Sequence, residues 1–170
     1  KVFAQFLSPG MTVYGEIVGY LTGSSQYIQK NHDYGCQPGQ WKFMPYRITL
    51  TAVDGSKTEL SVLEVQDWIS HINENFGDLS AYDHYKIKDV LMPMNILYVG
   101  ELGGMYPIDQ EHHFAKNLLQ TMKEDTKWLL MEKNEPMCKN KVPREGVVIR
   151  INDDKVARAW KLKSKAHYEL

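Results

Sequence analysis

The densest run of β-branched and aromatic residues is Val13-Tyr14-Gly15-Glu16-Ile17-Val18-Gly19-Tyr20, and it predicts a strand. Residues 23–39 are rich in Ser, Asn, Asp, Gly and Pro and predict a loop that could serve as a flap over a cleft. Strand character returns from Phe43 to Val53, Asp54-Gly55 marks a hairpin turn, and Lys57 to Val62 is the expected partner strand. Ser61 and Glu64 have the spacing of a capping box, and Trp68, Ile69, Ile72 and Phe76 then recur at helical spacing up to Gly77, a plausible stop. Ile96 to Val99 predicts a short buried strand. A second helix is expected from Asp109 to about Lys133, with Leu118, Leu119, Met122, Leu129 and Leu130 on its inner face. Met137 to Pro143 reads as a polar linker. Gly146 to Ile151 and Ala157 to Leu162 predict two strands joined at Asn152-Asp153-Asp154-Lys155. Hairpins with helices between them argue for an α+β fold, an antiparallel-rich sheet flanked by helices.

Composition bounds this picture without changing it. The 170 residues, 43% hydrophobic and 24% charged, suit a single domain with a real core. A net charge of -1 means that any nucleic-acid contact must rest on local positive charge. Cys36 and Cys138 form no Cys-x-x-Cys pair, which argues against a cysteine-based zinc site. With no signal peptide and no long apolar run, the expectation is no membrane partner and an intracellular, cytoplasmic protein with reduced thiols. The opening Lys1-Val2-Phe3-Ala4 has neither a starter methionine nor a targeting pattern, so the chain is expected to begin upstream of Lys1.

Three segments carry candidate chemistry. Glu16 stands alone in an apolar strand, where an acid is costly to bury without partners; it faces a polar cleft, pairs with a cation, or points at water from an edge strand. In Arg144-Glu145-Gly146-Val147-Val148-Ile149-Arg150, Glu145 opens a strand and Gly146 permits close approach of backbone or ligand. A carboxylate there suits a hard divalent cation, although a charged turn before a core strand is the commoner case. In Trp160-Lys161-Leu162-Lys163-Ser164, strand alternation puts Lys161 and Lys163 on one face and turns Leu162 inward. Two adjacent ammonium groups are tolerated around an anion such as phosphate, or on a solvated edge.

Taken in order, Tyr-Gly-Glu, then Phe43-Met44-Pro45-Tyr46-Arg47-Ile48, then Glu-Gly-Val-Val-Ile-Arg and Lys-Leu-Lys-Ser, the chain resembles the covalent nucleotidyltransferases, and within them the ATP-dependent RNA ligases, from Val13 to Tyr168. The resemblance implies a ligase-type, ATP-grasp-like adenylyltransferase domain over residues 1–170, incomplete at its N-terminus. It implies ATP as the AMP donor, Mg²⁺ or Mn²⁺ as the metal, and RNA ends as partners. Glu16 would contact the ribose, and Tyr46, with Phe43 in reserve, would stack on adenine. Glu145 would help place the metal, and Lys161 and Lys163 would contact the α-phosphate. The chain departs from the family in two ways: Arg47 stands where the family has Asp, and no Lys-x-Asp-Gly nucleophile motif precedes Tyr14. Lys123-Glu124-Asp125-Thr126 falls in a predicted helix without the glycine, and Val53-Asp54-Gly55 lacks the lysine, so neither replaces it. The alternatives are a DNA ligase or capping-type enzyme, and a non-catalytic nucleotide- or RNA-binding domain.

The remaining histidines point elsewhere. Adjacent His112 and His113 diverge on any regular backbone and predict a surface pair. His32-Asp33 near Cys36 predicts a flexible polar loop rather than a dyad. His167 stands beside the lysine pair, either near RNA phosphate or in solvent.

Overall fold

The computed structural model describes residues 6–76, 91–101, 114–124, 133–151 and 158–169. They divide between two compact units, one within Lys1–Met94 and the other within Asn95–Ile151 and Arg158–Leu170. The architecture is a small α+β fold with antiparallel sheets and few helices.

The first unit is built on β1 (Met11–Gly19), β2 (Trp41–Thr51) and β3 (Lys57–Glu59), hydrogen-bonded in that order. Both neighbouring pairs are antiparallel. The β2–β3 turn forms as its residues dictate: Gly55 takes a φ of +83°, and the Ser56 N–H donates to Asp54 Oδ1 at 2.9 Å. The partner strand is shorter than expected because the helix begins at once. In α1 (Val62–Phe76) the capping box closes reciprocally. The Ser61 N–H donates to Glu64 Oε2 at 2.6 Å, and the Glu64 N–H donates to Ser61 Oγ at 3.2 Å. The first of these bonds, from the Ser61 backbone, holds the Glu64 carboxyl below the usual glutamate range. Ser61→Ala removes one half of the box and should lower unfolding stability by about 1 kcal/mol, read from urea melts; a loss below a few tenths would mean that solvent caps this helix equally well.

Val65, Ile69 and Ile72 face Ile48 of β2, with Phe6 and Leu91 completing a buried cluster. Trp68 packs against its edge, as do Met11, Val13 and Phe43 from the sheet. The helical period supplies one face and the strand period the other. Fully burying an aliphatic side chain of this size contributes about 1.5–3 kcal/mol, so this cluster is the main source of cohesion in the unit. Gly77 lies outside the described residues.

The loop expected over residues 23–39 is present, and its middle is packed rather than open. Its backbone is tied down at both ends. The Ile28 N–H donates to Gly19 O, the Leu21 N–H to Gln26 O, and the Tyr20 N–H to Gln40 O, all within 2.9 Å. His32 and Asp33 are buried together with Tyr20, Tyr34 and Cys36. Local bonds make that burial tolerable: His32 Nδ1 lies 2.8 Å from Lys30 O, and the Gly35 N–H donates to Asp33 Oδ1 at 2.6 Å. A hydrogen bond with Tyr27, then burial, pushes the Tyr20 phenol up to about 12. The burial of His32 and Asp33 departs from the flexible polar loop expected there, and local hydrogen bonds take up both side chains.

The second unit contains α2 (Phe114–Glu124), the antiparallel hairpin partners β4 (Gly146–Ile151) and β5 (Arg158–Lys163), and the single turn α3 (Lys165–Tyr168). Leu118 and Met122 are buried, as the expected inner face of the helix requires; Asp109, Leu129 and Leu130 lie outside the described residues, as do His112, His113 and the turn from Asn152 to Lys155. Two expectations change. Ile96 to Val99 forms no strand, and Leu97, Tyr98 and Val99 are exposed. A strand needs a ladder partner for its backbone groups, and among the described residues these four find none. The apolar residue that does find a partner is Leu91, in the first unit, which bridges Phe43 and is buried. The supposed linker from Met137 to Pro143 is instead folded back. Asn134 bridges Pro143, the Arg144 N–H donates to Lys133 O at 2.9 Å, and Val142 and Arg144 are buried. No helix among the described residues is long and apolar enough to cross a membrane. Cys36 and Cys138 are not joined by a disulfide.

Candidate functional site

Lys161 and Lys163 come to one face because β5 is a regular strand. Its register pairs Lys163 with Gly146, Leu162 with Val147 and Lys161 with Val148. Leu162 and Val147 are buried, whereas Val148 opposite Lys161 is exposed. The lysines thus share the open face and Leu162 backs them, as the period of two predicts.

Glu145 reaches the same place by a route that the period does not give. Alternation from Val147 would send its side chain to the buried face. Its Oε1 nevertheless stands 2.7 Å from Lys161 Nζ and 3.6 Å from Lys163 Nζ. Gly146 lies between, with a φ of +154° that side chains rarely adopt. A Cβ at Gly146 would fall on the Leu162 carbonyl oxygen and 2.8 Å from Lys163 Cα. The absence of a side chain here is what lets β5 approach the mouth of β4.

Ser164, the last residue of the Lys-Leu-Lys-Ser segment, holds that mouth closed. Its N–H donates to Glu145 O at 2.8 Å, and its Oγ donates to Arg144 O at 2.7 Å. The same Oγ accepts from the His167 N–H at 3.1 Å and so caps α3. Arg144 is buried, with its Nε 4.0 Å from Glu135 Oε2. Reading by motif passed over Ser164 and Arg144 as positioning residues. The available signal was the serine itself, a strong cap former placed where β5 ends. Tyr168, exposed, leaves its ring centroid 5.6 Å from Lys163 Nζ.

Burial alone pushes the Glu145 carboxyl up, but the hydrogen bond and charge of Lys161, then the charges of His167 and Lys163, outweigh it and hold the group below its ordinary 4.5. A depressed carboxyl stabilises the fold above its unfolded value, and the contribution is lost as pH falls through the folded value. The stability difference between the wild type and Glu145→Gln should therefore be constant near neutrality and shrink once pH drops below 4.5. Paired thermal melts across that range check it; a difference that persists unchanged into strong acid would detach the effect from this carboxylate.

Glu16 and Tyr46 belong to the first unit. Glu16 is exposed on β1 and pairs in register with Met44. Tyr14 pairs with Arg47 and Gly15 with Pro45, so Tyr46 is the extra residue of a β-bulge and is 42% exposed. Phe43, the reserve for that stacking role, packs against the core instead, and a Cβ on Gly15 would sit 2.5 Å from its ring. Arg47, the departure from the aromatic-Asp pattern, bonds Glu59 at 2.9 Å and lies 5.0 Å over the Tyr14 ring. The expected pairing of β5 with β4 is present, while β1 is hydrogen-bonded in the other sheet. The structure thus brings Glu145, Lys161 and Lys163 together, and it places Glu16 and Tyr46 on adjoining strands of a separate unit.

Among the described residues no three His, Cys, Asp or Glu side chains gather into a set that could hold a metal ion by themselves. A Mg²⁺ at Glu145 would share one carboxylate with two ammonium groups, and would take further oxygens from a bound phosphate and from water. That is how Mg²⁺ commonly binds. The donor set at Glu145 therefore fits a metal that draws most of its oxygens from elsewhere.

No protein-family model, curated protein or solved structure significantly matches the chain.

Proposed function

We propose that the chain is the nucleotide-binding part of an ATP-dependent RNA ligase. The observation that carries the reading is the meeting of Lys161, Lys163 and Glu145 at the mouth of one hairpin, with both lysine side chains about two-fifths exposed (42% and 41%). A lysine pair that reaches solvent and shares one oxygen is suited to an anion with several oxygens, and phosphate is the natural class. The motif order found in the sequence narrows that class to a nucleotide.

In a ligase of this kind a lysine attacks the α-phosphorus of ATP and pyrophosphate leaves. AMP passes from that lysine to an RNA 5′-phosphate, and a 3′-hydroxyl then displaces AMP. Negative charge on the α-phosphate must be stabilised at each step, and two preorganised ammonium groups provide that. Lys161 and Lys163 would hold the phosphate. Mg²⁺ or Mn²⁺ held at Glu145 with the nucleotide would add Lewis-acid charge to the phosphoryl oxygens. The 170 residues contain no Lys-x-Asp-Gly, so the reading assigns them nucleotide and phosphate binding and not the covalent lysine–AMP bond. That same observation favours, as the second reading, a nucleotide- or RNA-binding domain without the covalent step.

Calorimetric titration of the 170-residue chain with ATP and Mg²⁺ tests the proposal. Binding that weakens on Lys163→Gln is the expected result, because a hydrogen bond to a charged group contributes about 1.5–3 kcal/mol. No heat of binding up to millimolar ATP would overturn it. Labelled ATP followed by denaturing electrophoresis should leave the chain unlabelled; a stable adduct lost on changing one of its own lysines would place the nucleophile inside these residues.

A further inference from the structure

The lysine pair is already engaged by a negative group. Glu145 Oε1 alone takes both contacts, 2.7 Å to Lys161 Nζ and 3.6 Å to Lys163 Nζ. A single oxygen straddled by two ammonium groups is the arrangement a non-bridging phosphoryl oxygen would adopt there. The carboxylate is also held in register from behind, by the Ser164 N–H on its own carbonyl and by the close approach of β5 over Gly146. These contacts fix the backbone from which the Glu145 side chain departs. The Glu145 side chain is 25% exposed against 42% and 41% for those of Lys161 and Lys163, so the oxygen that joins the two ammonium groups lies at the surface where an anion would arrive.

We propose that Glu145 is an internal stand-in for phosphate: an anion enters the lysine pair only by displacing its carboxylate, and Glu145 thereby determines how weakly the site takes metal-free phosphate. The inference rests on the reading of the lysine pair as a phosphate site. Its physical basis is exchange of one anion for another. Binding forfeits the Glu145 contacts and brings two like charges together, and both costs vanish when the carboxylate becomes an amide. A glutamate that served only to hold a metal would leave metal-free affinity unchanged on becoming glutamine.

The deciding experiment is titration of the 170-residue chain with ATP in EDTA at low ionic strength, comparing the wild type, Glu145→Gln, and Glu145→Gln carrying Lys161→Gln and Lys163→Gln. The expected result is affinity raised about tenfold by the first change, on the order of one charge–charge contact at a half-exposed site, and abolished by the added lysine changes. Glu145→Asp keeps the charge but withdraws it by one methylene, and should fall between wild type and glutamine; it decides the matter if the glutamine variant does not fold. Equal or weaker affinity in Glu145→Gln, with binding still lost on removing the lysines, overturns the stand-in role and leaves the phosphate site intact. Tighter binding that ignores the lysines overturns the stand-in role as well. No ATP binding in any form overturns both it and the nucleotide reading.

Discussion

Changing Lys161 and Lys163 together to glutamine should lower the ATP affinity of the chain by about a hundredfold while barely moving its melting temperature. Hydrogen bonds to charged groups contribute about 1.5–3 kcal/mol each. The two lysine side chains are 42% and 41% exposed, so solvent screening favours the lower end. Two such bonds lost amount to about 3 kcal/mol, which is about a hundredfold in the dissociation constant. Stability should change by less than about 1 kcal/mol, because partly exposed ion pairs contribute little to folding. Each single change should cost about tenfold, and the loss should shrink as salt rises. Calorimetry and thermal melts on the same samples separate the two effects. Unchanged affinity in the double variant would remove the lysine pair from any nucleotide site; a collapsed melt would make the pair structural.

Gly146→Ala should be among the most damaging single methyl additions in the second unit, with a loss of about 3 kcal/mol or more. Its Cβ would collide with the Leu162 carbonyl and crowd Lys163 Cα, both of them backbone that cannot rotate away. The φ of +154° adds strain whatever the space. Relief requires β4 and β5 to separate, which would carry Glu145 away from both lysines. Gly55→Ala is the control. Its φ of +83° is also unfavourable, but a Cβ there meets nothing within 4 Å, so it should cost only about 1 kcal/mol. Urea unfolding of the two variants gives the comparison. If the units unfold in separate steps, the Gly146→Ala loss should fall on the step that includes the β4–β5 hairpin. Equal losses at the two glycines would show that the close approach over Gly146 is not rigid.

The strands and helices with strong local signals were legible from the residues. The capping box at Ser61 and Glu64, the Asp54-Gly55 turn and the Lys-Leu-Lys alternation are local geometry, set by a few neighbouring dihedrals. The structure repeats them with shifts of one or two residues at the ends of β1, β2 and β5. Where a segment's fate depends on a partner distant in sequence, the residues misled. Ile96 to Val99 is apolar enough for a strand but finds no ladder among the described residues. Residues 20–40 are polar enough for an open flap but close over their own histidine, aspartate and tyrosines.

The candidate site divides along the same line. The alternation of Lys161, Leu162 and Lys163 was determined by the sequence, because a strand has a period of two whatever it pairs with. That Glu145 turns to meet them was decided by tertiary structure alone. It depends on the register of β4 with β5, on the contact that only a glycine at 146 permits, and on the hydrogen bonds from Ser164 to residues 144 and 145. None of these follows from the identity of Glu145, since a carboxylate's side of a sheet is fixed by backbone beyond its own neighbours. The exposure of Tyr46 was likewise decided by a bulge, which arises only when β1 and β2 are matched residue by residue.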